Sequence, residues 1–255
     1  MTTAKVNLWG RQIGAVLWDE KRNLSIFSYT PQFSRSGIQV APIEMPLREG
    51  PYDFPALPKD AFKGLPGMLA DSLPDKFGNA LINRWLTEQD RSADSFNPVE
   101  RLCYVGSRGM GALEFEPEIQ TDSDTNKPLE LGALIELSNR VLAERGNLNG
   151  ILKGKEDELA LQDILRVGTS AGGARAKALI AWNSATGEFR SGQVNAEAGF
   201  GQWLLKFDGV SENSDKEVAD PLGYGRLEYA CYLMARAAGI QMSECRLHEE
   251  GGRAH

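Results

Sequence analysis

Val167-Gly168-Thr169-Ser170-Ala171-Gly172-Gly173-Ala174-Arg175-Ala176-Lys177 sets three glycines and two small hydroxyl residues between a helical pattern and a strand pattern. Glycine lacks the Cβ that blocks close approach, so consecutive backbone N–H groups in such a loop can converge on an anion, and Arg175 and Lys177 add positive charge. The G-x-x-x-x-G-K-[ST] spacing of a Walker A loop is not matched, and the loop leads into a strand rather than a helix. Taken alone, it is weak evidence, and a flexible surface connection is the better reading.

Working outward, Glu156 to Arg166 reads as a short helix before the loop. After it, Lys177-Ala-Leu-Ile-Ala-Trp182, Asn183-Ser-Ala-Thr-Gly187 and Glu188-Phe-Arg190 predict strand, tight turn and strand, with Gly187 supplying a positive φ. Gln202-Trp-Leu-Leu-Lys-Phe207 predicts a further strand, and Pro221 to Ala238 a helix carrying Leu222, Leu227, Ala230, Cys231 and Met234 on one stripe, capped by Gly239. Lys206 inside its apolar strand reads either as an edge lysine reaching solvent or as a functional cation, and Glu228 either as a solvated carboxylate or as its partner. The order of glycine-rich loop, hairpin, strand lysine and helix glutamate is the layout of a protein-kinase small lobe, in which the lysine holds phosphates and the glutamate positions the lysine.

Toward the N-terminus, Val6 and Leu8, then Ile13, Ala15 and Leu17, then Leu24, Ile26 and Ser28 alternate in period two around the polar turn at 19–23, predicting a hairpin or meander. Residues 31–66 are rich in Pro, Gly and Ser, with Gly37 to Pro42 as a further strand candidate. Asp75 can cap a helix bearing Phe77, Leu81, Ile82 and Trp85, and Asn97-Pro-Val-Glu100 marks another helix start with proline at its first position. The polar run from Glu116 to Pro128 reads as a surface linker. Leu131, Leu134, Ile135, Val141 and Leu142 then mark an amphipathic helix ending near Gly146, with Ser138 on its apolar face. The expected class is α+β: a small β-rich domain with helices over residues 1–127, then a helical connection and kinase-like N-lobe over 128–255, with glycine-rich loop, antiparallel sheet and αC-like helix.

The 255 residues are 42% hydrophobic and 25% charged, ordinary globular proportions that exclude disorder, collagen and coiled-coil rods. With 28 Lys plus Arg against 35 Asp plus Glu, the net charge of -7 offers no bulk field for phosphate backbones, which argues against unaided nucleic-acid binding. Cys103, Cys231 and Cys245 are odd in number and lack C-x-x-C spacing, so neither a disulfide framework nor a zinc site is indicated, and a reducing cytoplasm fits best. No signal peptide or membrane span is apparent. His248 and His255, the only histidines, leave little material for a metal site or Ser-His-Asp triad and read as solvated terminal residues; Asp122 and Asp124 fall in the linker.

Four segments, in this order, resemble the HipA family, the serine/threonine-kinase toxins of bacterial type II toxin–antitoxin systems. They are Phe62-Lys-Gly-Leu-Pro-Gly-Met-Leu-Ala-Asp-Ser-Leu-Pro-Asp-Lys-Phe-Gly78, Gly172-Gly-Ala-Arg-Ala-Lys-Ala-Leu-Ile180, Trp203-Leu-Leu-Lys-Phe207 and Glu228-Tyr229. The resemblance implies that Gly172, Gly173, Ala174, Arg175, Ala176 and Lys177 contact ATP phosphates, that Lys206 binds the nucleotide with Glu228 in support, and that Ser170 is autophosphorylated, which switches the kinase off. Thr169 is an alternative acceptor. A phosphate on Ser170 adds about -1.5 to -2 charge where ATP phosphates sit, a physical basis for that inhibition. The resemblance further implies Mg-ATP as cofactor, an aminoacyl-tRNA synthetase as protein substrate, a DNA-binding antitoxin of the HipB type as partner, and DNA reached only through that antitoxin.

The catalytic aspartate, its downstream asparagine and the Mg²⁺-binding aspartate of kinase chemistry are not found, and Asp208-Gly209 falls too early to stand in for the last. No metal ligand is therefore assigned, and the chain is expected to be an N-terminal portion lacking the C-terminal lobe. A non-catalytic module that docks the antitoxin or a separate kinase lobe is the alternative, and an unrelated small-molecule enzyme with a phosphate-binding loop a third reading.

Overall fold

The computed structural model describes residues 1–109, 111–119, 128–129, 131–143, 177–192, 198–208, 223–250 and 252–255. The chain divides into two compact units, Met1–Asp75 with Trp85–Asp122, and Lys76–Arg84 with Ser123–His255. Both combine helices with antiparallel sheets, so the class is mixed α and β.

The first unit is built on a five-stranded antiparallel sheet of β1 (Thr3–Leu8), β2 (Arg11–Asp19), β3 (Leu24–Tyr29), β4 (Pro51–Tyr52) and β5 (Leu113–Glu116), ordered β4-β3-β2-β1-β5. Trp9 and Gly10 join β1 to β2 with φ of 52° and 72°, the positive values that a type I′ turn requires at both central residues. At the next turn the Asp19 carboxylate accepts from the Lys21 and Arg22 N–H groups, which is why that polar run reverses the chain.

The alternation expected from Ile13 does not hold along β2. Val6 pairs with Gly14 and Asn7 with Gln12, so Ile13 is the extra residue of a β-bulge. Beyond it the phase flips. Val16, Trp18, Phe27 and Tyr29 face the core, whereas Ala15, Leu17, Ile26 and Ser28 are half-buried. Gly14 sits under Phe27: a Cβ there would lie 2.5 Å from the Phe27 ring and 2.5 Å from the Ser28 carbonyl oxygen, so the aromatic ring occupies the space a side chain would need. Tyr29 packs edge-on against Phe27 at 4.9 Å and donates to the Met45 carbonyl; burial, with Tyr52 beside it, pushes its pKa up to about 12.

Residues 37–42 form no strand; Ala41 makes only an isolated bridge to Met45. The segment 59–70 instead supplies two short helical turns, α1 (Lys59–Phe62) and α2 (Gly67–Ala70). Helix α3 runs Lys76–Glu88, as the Asp75 signal predicts, and helix α4 runs Pro98–Val105. The start of α4 is a complete capping box: Glu100 N–H donates to the Asn97 side chain at 3.0 Å, and Asn97 N–H donates to the Glu100 carboxylate at 2.8 Å. Helix α4 lies on β1, β2 and β5 and buries Val99, Leu102 and Cys103 in the core.

Cys103 is 4% exposed, and burial, aided by Glu100, raises its thiol to about 11. We expect Ellman's reagent to label exposed Cys231 rapidly and to reach Cys103 only on unfolding; equal rates at both would contradict this packing.

In the second unit, α5 (Leu131–Ala143) buries Leu131, Leu134, Ile135 and Leu137. Ser138 can share that face because its hydroxyl donates to the Leu134 carbonyl at 2.6 Å. A three-stranded antiparallel sheet follows, β6 (Lys177–Asn183), β7 (Glu188–Ser191) and β8 (Gly201–Lys206), ordered β7-β6-β8. Its hairpin turn has Gly187 at φ 76°, and the Asn183 side chain accepts from Ala185 and Thr186 N–H groups. Helix α6 (Tyr224–Ala237) ends with Gly239 at φ 81°, its N–H donating to the Arg236 carbonyl. The described part of the stripe expected on α6 is open to solvent, with Leu227 56% and Met234 71% exposed, while Leu222 lies outside the described residues. Finally, β9 (Glu249–Glu250) and β10 (Arg253–Ala254) form a small hairpin. Arg246 stacks over both Trp182 and Trp203 at 5.3 and 5.1 Å, tying the segment after α6 to the sheet.

Among the described residues, no helix is long and apolar enough to cross a membrane.

Candidate functional site

Strand β8 lies at an edge of the small sheet, and Lys206 is its last residue. Directly opposite stands Lys177, the first residue of β6. Residues opposed in an antiparallel pair project from the same face with Cβ atoms about 4.5–5.5 Å apart, so two ammonium-bearing side chains start from neighbouring points, a costly arrangement unless anionic groups offset it. Glu228, on the second turn of α6, supplies one such group: its carboxylate meets the Lys206 ammonium at 2.6 Å. Both side chains remain about half exposed, at 50% and 45%, so the pair is open to a ligand and screened by solvent. The two residues singled out by order alone therefore stand side by side.

The junction between β8 and α6 is held by Asp208. Its carboxylate accepts from the Gly223 N–H at 3.0 and 3.2 Å, and its own N–H donates to Nδ1 of His255 at 3.0 Å. Asp208 thus anchors the start of the helix. Among the described residues, no group of three or more His, Cys, Asp and Glu side chains could hold a metal ion.

The reading of both histidines as solvated terminal residues is corrected. His255 is only 6% exposed, because the β9–β10 hairpin and the paired backbones of His248 and His255 fold it back against Phe207 and Asp208. His248 is half-buried beside Phe189 and Trp182 and contacts Glu250 at 3.1 Å. Nothing in the sequence near residue 255 signals this, since the pairing that buries the ring joins it to Asp208, 47 residues earlier.

The model of the HipA N-terminal domain matches residues 4–116, and that of the HipA-like C-terminal domain matches residues 169–255. The chain belongs to the HipA family. No match is found among curated proteins. Among solved structures, the chain is similar in fold to one in the complex of the Shewanella oneidensis MR-1 toxin–antitoxin system HipA, HipB and its operator DNA. The TM-score is 0.53 at 18% identity, with 98% of this chain and 49% of that chain covered. The HipA-family chain described here thus spans about half the length of that relative.

Lys177, Lys206 and Glu228 all fall within the part matched by the HipA-like C-terminal domain. The expected helix at 156–166 and the loop residues Ser170, Gly172, Gly173, Ala174, Arg175 and Ala176 lie outside the described residues, as do Asp122 and Asp124 of the linker.

Burial lowers the His255 pKa from its ordinary value; Asp208 opposes this, while His248 and Arg253 add to it and Glu250 opposes through its backbone. Neutral His255 is thus favoured in the folded HipA unit, whereas the unfolded chain binds a proton near pH 6.5. This contribution to stability is fully present above about pH 6.5 and is lost as pH falls from there through the lowered folded value. In denaturant titrations from pH 7.5 to 5, the second unit is expected to weaken, with a shallower slope in His255→Gln. An identical slope in that variant would refute the assignment.

Proposed function

We propose that this chain carries the nucleotide-binding part of a HipA-type serine/threonine-kinase toxin, with Lys206 and Glu228 as the pair that engages Mg-ATP. The observation that carries this reading is the 2.6 Å contact between a strand-end lysine and a helix glutamate, on a face where a second lysine, Lys177, stands opposite. These residues fit the anionic end of a nucleotide: two lysines start from one face of the sheet, and Glu228 holds one ammonium in place. Mg-ATP, when bound, supplies the transferable phosphoryl group. Lys206 neutralises phosphate oxygens, Glu228 restricts the lysine's rotamers, and the loop 172–177 supplies backbone N–H donors.

In this reading Ser170 is the site of inhibitory autophosphorylation, the protein substrate is an aminoacyl-tRNA synthetase, and the working compartment is the cytoplasm. A HipB-type antitoxin is the neutralising partner, as in the toxin–antitoxin complex of the structural relative. The domain division proposed is 1–127 and 128–255, the latter carrying the kinase-like N-lobe. The 255-residue chain is expected to bind Mg-ATP weakly and to transfer no phosphoryl group by itself. Incubation with labelled Mg-ATP tests this: phosphate appearing on Ser170 or on a substrate, and lost in Lys206→Ala, would overturn the inactive assignment.

The open apolar stripe of α6, with Leu227 and Met234 exposed, favours a second reading in which the chain docks the antitoxin or a separate kinase lobe without catalysis. That reading requires a stable complex in pull-downs with and without nucleotide. A complex that forms only with ATP would rule it out.

A further inference from the structure

Helix α6 carries the glutamate of the proposed site, yet none of its residues is buried. A helix with so little packing takes its position from a few contacts, and the described ones cluster in its first turn and just before it. Gly223 N–H is held by the Asp208 carboxylate at 3.0 and 3.2 Å. Arg226 pairs with Glu249 of β9 at 2.9 Å, but both side chains are more than 60% exposed, so that pair is a weak constraint.

The tightest approach is at Gly225. A Cβ built there would overlap the carbonyl oxygen of Ala254 in β10, lie 3.0 Å from its carbonyl carbon and 3.5 Å from the His255 Cα. These are backbone atoms, so no side-chain rotation relieves the overlap. Nor does β10 yield easily, because it pairs with β9 and the adjacent His255 exchanges two backbone hydrogen bonds with His248. Glu228 follows Gly225 by three residues, one turn along the same face of the helix. Any lift of the first turn off β10 therefore carries Glu228 with it, away from a contact now only 2.6 Å long.

We propose that Gly225 is a positioning residue: its missing side chain lets the first turn of α6, tethered by Asp208, seat on the β10 backbone at the depth that sets Glu228 against Lys206. The inference rests on the nucleotide reading of that pair for its functional consequence, but the seating itself can be measured without nucleotide.

The test is Gly225→Ala in the full 255-residue chain. Alanine has the higher helix propensity, so an effect on helix formation alone would favour the variant. Reductive ¹³C-methylation gives each lysine an NMR signal, with that of Lys206 assigned by its loss in Lys206→Arg. The seating predicts that Gly225→Ala moves the Lys206 signal to its position in Glu228→Gln, and weakens Mg-ATP binding about tenfold, the scale of one charge-assisted hydrogen bond. It also predicts that adding Gly225→Ala to Glu228→Gln brings no further loss, because both act through one contact.

An unmoved Lys206 signal in Gly225→Ala, or losses that add, would overturn the inference. If Lys206→Ala leaves Mg-ATP binding unchanged, the nucleotide reading fails while the Lys206 signal still decides the seating. Should Gly225→Ala not fold, Asp208→Asn loosens the Gly223 tether without adding bulk. A shifted Lys206 signal there supports the seating, and an unshifted one overturns it.

Discussion

Replacing Phe27 with alanine is expected to destabilise the first unit by about 3–5 kcal/mol, the range for deleting a fully buried aromatic side chain. Phe27 is 0% exposed, packs edge-on against Tyr29 and lies across Gly14, whose absent side chain makes its room. Gly14 beneath the ring has no side chain to move inward, so the space is refilled only in part. Urea unfolding, followed by fluorescence from Trp18 in the same core, measures the loss. A change below about 1 kcal/mol would mean that Phe27 does not fill the core this way. A Phe27→Leu variant should recover much of the loss, because it restores most of the volume.

Lys206→Ala is expected to weaken Mg-ATP binding by roughly 10–100-fold, corresponding to the loss of charge-assisted hydrogen bonds to phosphate. The thermal stability of the same variant should change little, since a half-exposed ion pair contributes on the order of 1 kcal/mol or less. Glu228→Gln should weaken binding less, because it leaves the lysine charge in place and only loosens its aim. Binding is read by isothermal titration calorimetry or ligand-observed NMR. Equal affinity in Lys206→Ala and the parent chain would remove the basis for the nucleotide reading and favour a docking module.

Much of this molecule is legible in local sequence. Asn97-Pro-Val-Glu100 contains every atom of its capping box, and Asn183 with Gly187 contains the turn between β6 and β7. Gly239 ends its helix for the same local reason. Other features depend on residues far apart. Strand β5 carries little local signal, because Leu113–Glu116 offers only a short alternation at the edge of the polar linker. It becomes a strand by pairing with β1, Lys5 opposite Glu116, 111 residues away. The phase of β2 is not legible locally, because Ile13 is apolar and buried yet belongs to a bulge, and both faces of β2 beyond it offer apolar side chains.

By itself the sequence determined the α+β class, the succession of hairpin, strand lysine and helix glutamate, and the family resemblance, since each resides in residue chemistry and short spacing. Only the tertiary structure decided that Lys206 and Glu228 meet, that Asp208 tethers a helix and that His255 is buried. It alone shows why position 225 has no room for a side chain. These outcomes depend on which distant backbones approach one another across the β8, α6 and β10 junction, which no local pattern encodes.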